Sequence, residues 1–191
     1  MAKIDAVVLN CDNVLEPGMP SFFLVIPATG LTAFPQTTNE ATPLTANNSG
    51  EVTLATAFTY TAPADYWRKS PIFQNSGSVK ASRLGDVTNS GYANEFSGMW
   101  ADDVAEIRGF MRRLDRFAKC GGFLVAIPQR DGSYRIIGDL NTPAYVKAGE
   151  FMTGDKPGGQ GRESKLTLAS DGIVYYDYPS ALTPPRIAPT V

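Results

Sequence analysis

The hydrophobic pattern of this chain changes period several times, and the changes mark its elements. The clearest stretch is 92–138. Tyr92, Asn94 and Phe96 alternate with Ala93 and Glu95, which predicts a strand closing at Ser97-Gly98. Val104, Ile107, Phe110, Met111, Leu114 and Phe117 then recur at spacings of three and four, one face of a helical period. Glu106, Arg108, Arg112, Arg113, Asp115 and Arg116 hold the other face. This predicts an amphipathic helix over about 102–119. Asp102 or Asp103 suits its N-cap, Asp103 with Glu106 makes a capping box, and Gly121-Gly122 supplies the stop. Gly109 inside the helix costs about 1 kcal/mol relative to alanine, so a close neighbour is expected there. Phe123–Ile127 and Tyr134–Ile137 read as a hairpin with Asp131-Gly132 in its turn. The first of these runs is apolar throughout, as in a strand buried on both faces, one of them toward the helix.

The remaining pattern is mostly strand and loop. Residues 3–10 read as a first strand with Ile4, Ala6 and Val8 alternating, Phe22–Ile26 is a second, apolar strand closed by Pro27, and 51–61 alternates well. Residues 28–50 are rich in Thr, Ala, Pro and Asn and predict a long loop. Residues 79–88, 145–147, 165–169 and 173–178 predict further strands. Gly-rich 149–163 reads as a loop, and Asp171-Gly172 as a second hairpin turn. The last stretch, 179–191, holds four prolines and predicts an extended arm. The sum is a mainly β fold: an antiparallel β-sandwich or barrel flanked by one helix, forming a single domain over 1–191.

Composition narrows function mostly by exclusion. With 191 residues, 43% of them hydrophobic, the chain has enough apolar mass for one substantial core. A net charge of −2 gives no general attraction to nucleic acid. There is no histidine, which removes Ser-His-Asp and Cys-His mechanisms and imidazole metal ligands. The two cysteines, Cys11 and Cys120, have no metal spacing and read as reduced thiols. No run approaches the ~18 apolar residues of a membrane span. MAKIDAVVLN lacks the parts of a signal peptide, so cytoplasmic synthesis is expected.

Candidate chemistry is sparse. Gly154-Asp155-Lys156-Pro157-Gly158-Gly159-Gln160-Gly161-Arg162 has a phosphate-loop composition. However, Pro157 removes an amide, no Gly-Lys-Ser/Thr follows, and a strand rather than a helix comes next. Asp102, Asp103, Asp131 and Asp139 lie where caps and turns use aspartate. No catalytic, cofactor or metal role is assigned, and an enzyme is not expected. Arg108, Arg112 and Arg116 step along the helix one turn apart, beside Arg113. They are either solvated cations or a face that docks on an acidic patch of a neighbouring subunit. Trp67 beside Arg68 and Lys69 is either a stacking contact or a core tryptophan next to solvated cations.

The phrases YANEFSG, FLVAIPQRDGSYRIIGD and TGDKPGGQGRESKLTLASDGIVYYDY, in this order around a capped helix, resemble phage tail-tube (major tail) proteins, especially those of Bacteroides-type phages and prophages. The resemblance covers 92–178. It implies a virion structural subunit that self-associates into rings, usually hexameric, stacked around a lumen through which DNA passes without specific binding. It also implies contacts with other tail proteins, and no membrane and no cofactor. Loops and termini would reach neighbouring subunits. The candidate interface residues are then Arg108, Arg112 and Arg116 on the helix, Gly154, Pro157 and Arg162 in the Gly-rich loop, and Pro184, Pro185 and Arg186 in the arm. The alternative from another class is a β-sandwich module that binds a ligand or carbohydrate through Tyr66, Trp67 and Phe73.

Overall fold

The computed structural model describes residues 22–36, 52–72, 76–85, 90–100, 105–152, 163–172 and 176–188. In chain order the strands are β1 (Phe22–Pro27), β2 (Leu31–Ala33), β3 (Val52–Thr53), β4 (Thr59–Tyr60), β5 (Arg68–Pro71), β6 (Ser78–Gly85) and β7 (Ser90–Trp100). Helix α1 (Ala105–Lys119) follows, then β8 (Phe123–Pro128), β9 (Tyr134–Ile137), β10 (Tyr145–Met152), β11 (Glu163–Gly172) and β12 (Tyr176–Tyr178). The fold is mainly β, with one α-helix among the described residues. A six-stranded sheet runs β3-β12-β9-β8-β1-β5, a four-stranded sheet β10-β11-β7-β6, and β2 pairs with β4. Pairing between these strands is antiparallel except between β12 and β3, and an isolated bridge joins Trp67 and Ile187 in parallel.

Strand parity explains the core. Phe23, Leu24, Val25 and Ile26 are buried, as is every residue of β8. These two strands sit inside the six-stranded sheet and therefore need apolar residues on both faces. Phe23, Val25, Phe123, Val125, Ile127 and Ile137 point to one side. There they join Phe96, Trp100, Leu166 and Leu168 of the four-stranded sheet, and Met111 and Leu114 of α1, in one hydrophobic cluster. Leu24, Ile26, Leu124, Ala126 and Ile136 point the other way, into a second cluster with Leu54, Phe58, Trp67, Tyr176 and Tyr178.

The helix and hairpin form where the sequence predicts them. Met111 and Leu114 are buried, while Ile107, Phe110 and Phe117 are partly buried against the same cluster. The caps at Asp102 and Asp103, with Val104, lie outside the described residues, as does the strand expected over 3–10. At the other end Gly121 and Gly122 take φ of +103° and +79°, and the Gly122 amide donates to the Phe117 carbonyl at 2.7 Å. In the hairpin the Asp131 carboxylate accepts from the Ser133 amide at 2.9 Å and from the Ser133 hydroxyl, and Gln129 N–H donates to the Ser133 carbonyl.

Several boundaries differ from the sequence reading. The expected single strand 51–61 is two short strands in different sheets. Leu54 N–H donates to Asp177, Ala55 N–H to Gln36, and Thr59–Tyr60 pairs with β2, so the backbone divides its hydrogen bonds between two partners. Gly98 does not stop β7, which runs on to Trp100. A Cβ at Gly98 would lie 3.1 Å from Ile72 and 3.2 Å from the Phe96 ring, so the missing side chain serves packing. Asp171-Gly172 is not a turn, because both residues pair with β7 opposite Ala93 and Tyr92. Gly149–Met152 belongs to β10 rather than to a loop. The long loop expected at 28–50 begins with a 3₁₀ turn and β2, and residues 37–50 lie outside the description. The close neighbour expected at Gly109 is absent, since nothing lies within 4 Å of a Cβ built there among the described residues.

Candidate functional site

Helix α1 packs its apolar stripe inward and turns its cations outward. Arg112, Arg113 and Arg116 are exposed, and Arg108 is half-buried. Arg116 and Lys119 occupy the last turn, where they oppose the negative end of the helix dipole. The sequence-predicted arginine face therefore exists as a surface.

Beneath one flank of that face lies a groove of about 410 Å³ between α1 and the sheet. Val25 and Pro27 of β1 form its floor, and Phe110, Leu114 and Phe117 of α1 form its wall. Arg68, Lys69 and Arg113 complete the lining. Arg68 pairs in register with Val25, so its side chain leaves the sheet on the α1 side. Lys69 leaves on the other side, with its ammonium 4.1 Å from the centre of the Phe22 ring. The groove is thus apolar with guanidinium groups at its rim. Arg68 and Arg113 lie far apart in the sequence, and only the β1–β5 register and the packing of α1 bring both to this groove.

The C-terminal segment forms a different surface. The extended arm expected from 179 does not begin there: residues 179–182 make a turn, with Leu182 N–H donating to the Pro179 carbonyl at 3.1 Å, and residues 183–188 then lie against this chain's own body. The Trp67 backbone amide donates to the Arg186 carbonyl at 2.8 Å, and the Ala188 amide donates to the Trp67 carbonyl at 2.9 Å. The Arg186 amide donates to the Tyr60 hydroxyl at 2.7 Å, and its guanidinium lies 4.5 Å from the Tyr60 ring centre and donates to the Pro63 carbonyl. Pro185 is buried, while Pro184 and Arg186 are exposed. The Tyr178 hydroxyl donates to the Thr183 carbonyl. Burial, then the nearby Tyr60, pushes this phenol up to about 12, so it remains a donor throughout the neutral range.

These two sets of predicted interface residues are not brought together. Arg108, Arg112 and Arg116 belong to the helix side of the six-stranded sheet, whereas Pro184–Arg186 sit with Trp67 on the opposite side. Gly154, Pro157 and Arg162 lie outside the described residues. Trp67 is fully buried and contacts Phe58 with ring centres 5.1 Å apart, so it is a core residue. Tyr66 is half-buried, and Phe73 lies outside the description.

Among the described residues no group of three or more His, Cys, Asp or Glu is placed to hold a metal ion. No described helix is long and apolar enough to cross a membrane. Cys120 is exposed with a free thiol, and Cys11 lies outside the description. Asp131 and Asp139 both serve turns, as their sequence context predicts. No family model, curated protein or solved structure matches the chain.

Proposed function

We propose that this chain is a structural subunit of the tail-tube type, which self-associates into rings that stack around a DNA-conducting channel in a phage tail. In this reading the two larger sheets form a β-sandwich and α1 flanks it. The subunit is made in the bacterial host cytoplasm and ends in the virion, where it meets copies of itself and other tail proteins. DNA passes through the lumen without specific binding.

The observation that carries this reading is the edge of the four-stranded sheet at β6, which is unpaired among the described strands. Strand β6 spans eight residues in unbroken register with β7, and no described strand pairs with its other side. A long regular edge is a template for a strand of another chain. The opposite edge, β10, carries a bulge between Val146 and Ala148, a device that weakens such templating. One regular and one bulged edge suit a directed, head-to-tail contact, which closes into a ring when its rotation allows. The exposed arginine row on α1 supplies a second contact surface. An aromatic ligand platform has less support, because its central residue, Trp67, is buried.

Sedimentation velocity across a concentration series tests the reading. Growth from monomer to a defined ring-sized species is the expected result, and a monomer at every concentration counts against it.

A further inference from the structure

We propose that the groove between α1 and strands β1 and β5 binds an apolar carboxylate, of which a medium-chain fatty acid is the simplest member. This goes beyond the assembly reading and does not rest on it. A volume of about 410 Å³ is in the range that holds small ligands. The floor and wall are apolar side chains from two elements that pack as part of the same core, so the shape is built before any ligand arrives. Arg68 and Arg113 both line the groove, and among the described residues no carboxylate does. Neither arginine has an ion-pair partner among the described residues.

The occupant follows from charge and shape. Guanidinium forks bind planar carboxylates in bidentate fashion. The aliphatic and aromatic walls offer no hydrogen bonds to a sugar or a polar backbone, but they take methylene groups out of water, which is favourable. A hydrophobic chain ending in a carboxylate satisfies both parts, with its head at the rim and its chain along Phe110, Leu114 and Phe117. A cationic amphiphile of equal length would bury the same chain but place like charge beside the arginines.

The test is isothermal titration calorimetry of the full chain with decanoate, kept below its micelle-forming concentration. Decyltrimethylammonium is titrated in parallel. Saturable one-to-one decanoate binding is expected, with at least tenfold weaker binding to the R68Q/R113Q double variant and no saturable binding of the cation. Both arginines are exposed, so circular dichroism should show the variant folded, and R68K/R113K should retain part of the affinity. Absent saturation with decanoate, equal affinity in wild type and R68Q/R113Q, or equal binding of the two amphiphiles overturns the proposal. The titration uses dilute protein, so a failure to form rings leaves its outcome unaffected.

Discussion

The Tyr176 hydroxyl donates a hydrogen bond to the Asp139 carboxylate at 2.7 Å, tying the loop after β9 to strand β12. The same carboxylate accepts from the Asn141 and Thr142 amides, both at 2.7 Å, and from the Thr142 hydroxyl. Partial burial alone would raise its pKa, but these donors together outweigh burial and hold it below the usual carboxylate value. The ionised form is therefore favoured more in the folded chain than in the unfolded one. Its contribution is fully present above the unfolded value near 3.8 and is lost as pH falls through the lower folded value. D139A should cost about 2 kcal/mol at pH 7 in urea unfolding, as expected for hydrogen bonds to a charged group. The gap between wild type and D139A should narrow as pH drops below about 4. A gap that widens on acidification would contradict this account.

Among the described glycines, Gly122 would bring an added Cβ into the closest clash. Its φ is +79°, and an added Cβ would fall 2.3 Å from the Pro143 side chain. G122A should therefore lose about 3 kcal/mol or more, combining left-handed backbone strain with overpacking. Denaturant unfolding checks this, and a loss below about 1 kcal/mol would mean that the loop bearing Pro143 yields freely.

Gly109 presents the opposite case. With no described residue within 4 Å of its Cβ position, G109A should raise the stability of the isolated subunit by about 1 kcal/mol through helix propensity alone. A thermal melt of dilute protein should show a higher Tm. A lower Tm would indicate a neighbour at this site within the subunit.

Much of the fold is legible because local pattern and tertiary demand agree. Residues 105–137 show this best, with a 3.6-residue stripe, a double-glycine stop and an apolar run that reads as a strand buried on both faces. The failures arise where a local signal serves a distant partner. Gly98 has the signature of a strand end, yet it makes room for Ile72 and Phe96. Asp171-Gly172 is a turn dipeptide, yet it pairs with Ala93 and Tyr92 on β7. Residues 51–61 keep period two, but their hydrogen-bond partners change midway. The groove was invisible for a related reason. Val25, Arg68 and Arg113 come from three separated segments, and only the sheet register and the packing of α1 bring them together.

The arginine row should matter for association rather than folding. Arg112 and Arg116 are exposed, so R112E/R116E should lower subunit stability by only about 1 kcal/mol, the cost of placing an acid at the negative end of the helix dipole. The reversed charge should instead weaken any contact with an acidic neighbour, which sedimentation of wild type and variant at matched concentration would read. Equal association of the two would remove this face from the interface.

The central claim is self-association into a channel-forming ring. Negative-stain electron microscopy of the purified full chain over a concentration series tests it most directly. The account predicts rings with a central opening, stacking into tubes as concentration rises. Dispersed single particles without rings at every concentration would contradict it.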